Sequence, residues 1–385
     1  MASSFANSRL FKPLKLGHAA LQHRIALAPL TRNRNDSEHS PTPLMVTYYA
    51  DRASTSGTLV VSEATAVSHD EEGQRNIPGF TSDRQVAAWK EIIDAVHAKG
   101  SVYFQQLFAL GRASTADYVA ESGRPYRSSS AVAMQGVDVT PTAMTEDEIH
   151  ETIQAFVDSS KRAIAAGADG VEIHAAHGYL LDQFLTDSVN RRTDRWGGSI
   201  ENRSRLTLEV VKAVVEAVGA ERVAVRFSPY AGFQGVEKSD TRELYGYIVG
   251  ELKKMDNARL AYLSLVAATG DPAAIIFGGK EINKGKTLDF ILEAWDNQSP
   301  VMIAGGYTPE TARLTVDEHY QHYDVLVGFG RHYLANPDLV FRIKNGIPLN
   351  KYNRKTFYLV MSNVGYNDYP FSDEFKTTQE TLVAA

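Results

Sequence analysis

The sequence predicts an α/β fold, a single-domain (β/α)8 TIM barrel with loop excursions, and three observations carry that prediction. Eight short apolar runs are spread from one end of the chain to the other. Most are continuous rather than alternating, as parallel strands covered on both faces must be. Segments with readable helix starts and stops lie between them. Eight strand-then-helix units fit a closed ring better than an open doubly wound sheet, which would hold a ligand at one switch point.

The runs are 24–28, 58–62, 101–106, 170–174, 223–227, 261–265, 301–304 and 325–328. Between them, Ser82 and Gln85 are spaced as a capping box, and Gly100 stands where that helix should stop. Thr145 and Glu148 repeat the box ahead of a helix over 146–166, closed by Gly167. Ser199 can cap a helix with Glu201 in its first turn. Thr308-Pro309-Glu310 offers a cap, a proline at the first helical position and an acid near the positive dipole end. Residues 121–139 are polar and rich in serine without a period, and read as an excursion outside the barrel. Residues 377–385 read as a loose tail, and 1–385 as one domain.

Composition narrows the function. Of 385 residues, 43% are hydrophobic and 22% charged, an ordinary globular balance. The formal charge of -6, with no basic block, gives no support for nucleic-acid binding. No apolar run is long enough to span a membrane, and residues 1–7 lack the pattern of a secretory signal. The chain has no cysteine, so disulfides, thiolate catalysis and cysteine-ligated metals fall away together. The expectation is a cytoplasmic enzyme, monomeric or homodimeric, without nucleic-acid or membrane partners.

In such a barrel the strand C-termini converge on one mouth. The first strand would deliver Pro29, Leu30 and Thr31, the second Ala64 and Thr65, the third Gln105 or Gln106. The fourth would bring His174, His177 and Tyr179, and the fifth Arg226. Two imidazoles and a phenol within six residues can grip a carbonyl oxygen and supply a proton. A glutamine, an arginine and a threonine suit a flat heteroaromatic ring with carbonyl and imide edges. The seventh and eighth strands end in Gly305-Gly306 and Gly328-Phe329-Gly330-Arg331, each expected to lead into a helix, at Thr308 and at about Asn336-Pro337. Glycines bring backbone N–H groups close to an anion, and barrels commonly hold phosphate there; read singly, the same glycines only make tight turns. His174 and His177 also fit half of a metal site, with Glu172 or Asp182 recruited, which keeps a metal-dependent barrel hydrolase as an alternative.

At these residues the chain resembles the Old Yellow Enzyme family of FMN-dependent ene-reductases. The matching segments are LFKPLKLG (10–17), HRIALAPLTRNR (23–34), YYADRAS (48–54), SEATAVS (62–68), GVEIHAAHGYLLDQFLTDSVNRRTDRWGGSIENR (170–203), VAVRFSP (223–229), GFGRHYLANPDLVFRI (328–343) and PLNKYNRKTFY (348–358). The His-x-x-His pair is like that of the plant 12-oxophytodienoate reductases, and SPYAGF and AGGY are similar to fungal secondary-metabolism members. The resemblance implies tightly bound FMN at the mouth. Ala28 to Leu30, Thr31, Ala64, Gln106 and His174 would contact the flavin ring, with Arg226 at its N1–C2=O edge. Gly305, Gly306, Gly330 and Arg331 would hold the phosphate. His174 and His177 would bind the carbonyl of an enone or enal, Tyr179 would protonate it, and Phe108 and Tyr358 would line the substrate pocket. No metal is implied. NADPH or NADH would be the reductant, and the reaction would be reduction of the activated C=C bond. A flavin-dependent isomerase of the same family is the nearer alternative. Phe108 stands where many members carry tryptophan, and Gly306 where many carry asparagine.

Overall fold

The computed structural model describes residues 5, 7–255, 259–268 and 285–384. All eight expected strands form: Ile25–Leu27, Leu59–Val61, Val102–Phe108, Gly170–Ala175, Val223–Phe227, Tyr262–Val266, Val301–Ala304 and Val325–Phe329. They are parallel, each hydrogen-bonded to its neighbour in chain order. The ring closes where the eighth strand pairs with the first, Val327 opposite Ile25 and Phe329 opposite Leu27. This is a (β/α)8 barrel.

Side chains alternate across the barrel wall because successive residues of a strand face opposite sides. Ala26, Leu59, Val61, Val102, Phe104, Ala224, Tyr262, Met302 and Leu326 pack together inside. Their neighbours Ile25, Leu27, Val60, Tyr103, Val225, Leu263, Ile303 and Val327 pack outward among the helices. The fourth strand begins with Gly170 because Phe104 occupies the interior there; a Cβ on Gly170 would collide with its ring. The lower end is plugged by an antiparallel hairpin, Leu14–Leu16 with Ala19–Leu21. Leu14, Leu16 and Leu21 join the interior cluster. The opposite end stays open, and one register higher on the same inward faces the residues turn polar: Gln106, Glu172, His174, Arg226 and Ser264.

The helices start where their caps foretell. Asp83–His97 and Glu146–Ala165 each carry a complete capping box, Ser82 with Gln85 and Thr145 with Glu148. The Ser199 hydroxyl accepts from Asn202 N ahead of Ile200–Val218, and Thr308 caps Pro309–Leu314. Within 121–139 the backbone leaves the helix Ala116–Ser122 at Gly123, and Arg127–Ser128 pairs with Thr142–Ala143. Arg112 Nη1 donates to Val132 O at 3.0 Å.

The expected loose tail is corrected: the chain is helical from Asp373 to Ala384. Its first turn is nailed down by Ser372, whose hydroxyl donates to Asp338 Oδ2 at 2.7 Å and accepts from Phe375 N. The Phe375 ring packs on Phe341 and Phe371, both at 5.2 Å between centroids. Thr377, Thr378 and Thr381 return their hydroxyls to carbonyls four residues back, which hides their polarity within the helix. Among the described residues no helix is long and apolar enough to cross a membrane.

Candidate active site

The open end of the barrel holds a cavity of about 760 Å³. Its wall includes Ala28, Pro29, Leu30, Thr31, Ala64, Gln106, His174, His177, Tyr179, Arg226, Gly305, Gly306, Gly330, Arg331 and Tyr358. The site residues expected from the sequence are therefore on one surface, except Thr65, the alternative Gln105 and Phe108. Phe108 does not line it. That ring is buried one layer behind, edge-on to Tyr179 with centroids 5.0 Å apart, and 6.2 Å from His174. Phe108 shapes the pocket only by backing these two rings, packed with Ala64, Ala66, Ile77 and Leu110.

The floor of the cavity is a polar network that sequence reasoning only partly found. Gln106 Nε2 donates to Glu172 Oε1 at 2.6 Å, and the Tyr262 hydroxyl donates to Glu172 Oε2 at 2.8 Å. Glu172 is fully buried, and burial raises its pKa while the Arg226 charge opposes the rise. With its amide nitrogen engaged, Gln106 presents its amide oxygen as a free acceptor. Arg226 is buried; Nη1 donates to Ser264 Oγ at 2.9 Å, its one hydrogen bond among the described residues. A buried guanidinium with donors to spare calls for an electron-rich partner. Gln105, the other candidate on this strand, faces outward and bonds Ser62 and Thr65.

His174 lies beside Arg226 in register on the fourth strand. The chain then turns sharply, with His177 at φ 57 and Gly178 at φ 78, both left-handed. A non-glycine residue there is unusual and needs support. Ser228 supplies it by accepting from His177 N at 2.8 Å, and Asp182 Oδ2 accepts from Gly178 N at 2.9 Å. Gln183 adds a bond from its Nε2 to Gly178 O at 2.7 Å. The turn sets three rings at steep angles: His174 to His177 at 5.7 Å and 84°, His174 to Tyr179 at 5.0 Å and 68°.

Burial drives the His174 pKa well below its ordinary value and that of His177 down to about 3, with Arg226 adding repulsion to both. Both rings are therefore neutral at working pH. Among the described residues, Nδ1 of His174 and Nε2 of His177 are buried without a partner. An unpaired lone pair is cheaper than an unpaired N–H, so we assign the protons to His174 Nε2 and His177 Nδ1. Each ring then presents an N–H donor. Burial raises the Tyr179 pKa to about 12, so its hydroxyl keeps its proton. Two neutral donors and one retained acid suit an oxygen that gains negative charge next to a carbon that gains a proton.

The outer wall carries the glycine turns. Gly305 and Gly306 have φ 142 and 79, backbone that a side chain would disfavour. A short helix, Arg331–Ala335, begins directly after Gly330, and the helix expected at about Asn336-Pro337 follows it as Leu339–Asn345. Gly330 O already accepts from Tyr333 N at 2.8 Å, so the turn is tighter than the sequence suggested. Arg331 sits on the cavity wall with Nη1 3.2 Å from the Tyr352 hydroxyl.

These donors fit FMN from end to end: an amide acceptor and a guanidinium for an imide edge, glycine turns and an arginine for a phosphate. The carboxylates that might complete a metal site are otherwise engaged. Glu172 is held by Gln106 and Tyr262, and Asp182 lies 2.8 Å from Lys238 Nζ. Among the described residues no group of three or more acidic, histidine or cysteine side chains converges for a metal.

Comparison with known proteins agrees. Residues 9–350 match the NADH:flavin oxidoreductase / NADH oxidase family. The chain is 47% identical over 374 residues to a chanoclavine-I aldehyde reductase of Penicillium roqueforti, covering 97% of this chain and 99% of that one. It is 45% identical over 378 residues to a probable inactive reductase, easA, of Epichloe festucae var. lolii, covering 97% of both. The Old Yellow Enzyme of Pichia sp. AKU4542 superposes with a TM-score of 0.87 at 39% identity, over 96% of this chain and 95% of that one. The chain belongs to the Old Yellow Enzyme family of flavin oxidoreductases.

Proposed function

We propose that this protein is an FMN-dependent, NAD(P)H-driven ene-reductase that saturates the C=C bond of α,β-unsaturated aldehydes or ketones. The carrying observation is the arrangement of two neutral histidines and a protonated tyrosine over a floor of Gln106 and Arg226. His174 and His177 donate N–H bonds to the carbonyl oxygen and stabilise the enolate charge that develops there. Tyr179 gives its proton to Cα as that charge collapses. Gln106, Arg226 and the glycine turns would hold FMN, which when bound would supply the hydride for the new C–H bond at Cβ. Gln106 and Arg226 would orient the ring, and the Arg226 charge would offset negative charge on it. The relative in Penicillium is named for an aldehyde substrate, which favours an unsaturated aldehyde here.

The test is spectroscopic. The purified protein is expected to be yellow, to bleach with NADPH or NADH under anaerobic conditions, and to recover its colour with cyclohexenone or an enal while the saturated product forms. A protein without flavin absorbance overturns the cofactor assignment. Bleaching without recovery would instead support an idle flavin binder, the reading suggested by the relative called probably inactive. Conversion of the enone to a product of unchanged mass would support an isomerase.

A further inference from the structure

Asp182 and Lys238 lie outside the set that touches substrate or flavin, yet both side chains have no exposure to solvent. Lys238 Nζ lies 2.8 Å from Asp182 Oδ1. The contact is electrostatic rather than an aligned hydrogen bond, for Oδ1 has no hydrogen-bonding partner among the described residues. Lys238 Nζ also donates to Val236 O at 3.2 Å. The other carboxylate oxygen, Oδ2, accepts from Gly178 N at 2.9 Å.

The two residues come from different strand-end loops. Asp182 is in the short helix Leu180–Leu185 that follows the catalytic turn. Lys238 closes the loop after the fifth strand, and that loop places Phe233 and Gln234 on the cavity wall. The loop and the turn also touch directly: a Cβ on Gly178 would lie 2.7 Å from Gln234 Cβ and 3.0 Å from Phe233 O. Gly178 is flanked by His177 and Tyr179, so whatever holds its amide sets the angle between oxygen binder and acid.

We infer that Asp182 and Lys238 are a positioning pair that couples the substrate-facing loop to the proton-donor turn. Lys238 holds the Asp182 carboxylate stationary, and Asp182 holds the left-handed turn through Gly178 N. Without the ammonium, the buried carboxylate lacks its counter-charge and swings toward another donor. That swing loosens the Gly178 bond and lets Tyr179 drift from Cα. The hydride donor stays in place, because Gln106, Arg226 and the glycine turns are untouched. The pair therefore acts on proton delivery and not on the supply of electrons. This inference rests on the ene-reductase reading and deepens it.

The test compares two acceptors on the flavin-loaded enzyme. An enone needs a proton at carbon; a quinone such as menadione takes two electrons without one. The measured quantity is the ratio of enone to quinone kcat. K238M should lower that ratio about tenfold, the scale on which misplacement by a fraction of an ångström acts. Removing one charge of a buried pair threatens folding, whereas removing both is tolerated, so two double variants carry the decision. D182N/K238M keeps a neutral acceptor for Gly178 N and should hold the ratio within about threefold of the parent. D182L/K238M keeps the γ-branched shape, lacks the acceptor, and should lower the ratio as K238M does. Equal ratios in the two double variants would overturn the tether, whatever their melting temperatures. Y179F runs alongside. If it leaves the ratio unchanged, the proton-donor reading itself fails and the inference falls with it. If it lowers the ratio while the double variants agree, only the tether fails.

Discussion

Tyr179 illustrates how a single side chain acquires a role from its surroundings. Its ring is clamped between Phe108 and His174, and burial lifts its pKa to about 12. Such an acid is weak but always loaded. Tyr179→Phe should leave flavin binding intact and slow re-oxidation of the reduced enzyme by an unactivated enone by about 10²- to 10⁴-fold. Stopped-flow absorbance reads that rate, and an unchanged rate removes Tyr179 from proton transfer. In the proposed function Arg226 is the counterpart at the cofactor. Arg226→Ala removes charged donors and should weaken FMN retention by roughly tenfold to a hundredfold; full occupancy after extensive dialysis would contradict it. Both residues were legible in the sequence, since they stand at strand ends whose apolar runs are plain. Glu172 was legible only as a conceivable metal ligand. Its work of orienting Gln106 depends on a cross-strand partner 66 positions away, and spacing along one chain does not reveal such a partner.

At the scale of elements, the strands and the long helices were readable because each signal is local. Ser82 with Gln85 and Thr145 with Glu148 close their capping boxes as their spacing requires. The elements that escaped depend on distant contacts. The plug hairpin is three residues a side, too short for a period, and makes sense only inside a closed barrel. The final helix lacks a long apolar stripe and relies on Ser372, Asp338 and a cluster of three phenylalanines. Within the barrel wall, Gly170 gives the sharpest prediction. Gly170→Ala should overpack the Phe104 ring and the Arg222 carbonyl and cost about 1–3 kcal/mol. A thermal midpoint equal to the parent's would show that the wall can yield there.

The whole molecule balances buried titratable groups that lie far from the cavity. His23 accepts from Ile25 N through Nδ1 at 3.3 Å, and its Nε2 lies 3.0 Å from Thr58 Oγ1. Burial lowers its pKa to about 4. A histidine held neutral binds fewer protons folded than unfolded, so its stabilising effect is complete above its ordinary value of 6.5. That effect is lost as pH falls towards 4, by at most on the order of 3 kcal/mol. His23→Gln should therefore narrow its stability deficit against the parent between pH 7 and 4.5, as read by thermal midpoints; a constant deficit would rule out this titration. The barrel's closing joint carries a last consequence. Ile25 and Val327 are opposite each other across it, and the cavity walls at 28–33 and 328–332 rise from its two sides. A ligand spanning those walls works as a clasp between the two ends of the chain. Losing FMN should unfasten the protein from its termini inward, with amide hydrogen exchange quickening first in 14–34 and 325–345, and reloading the flavin should slow it again.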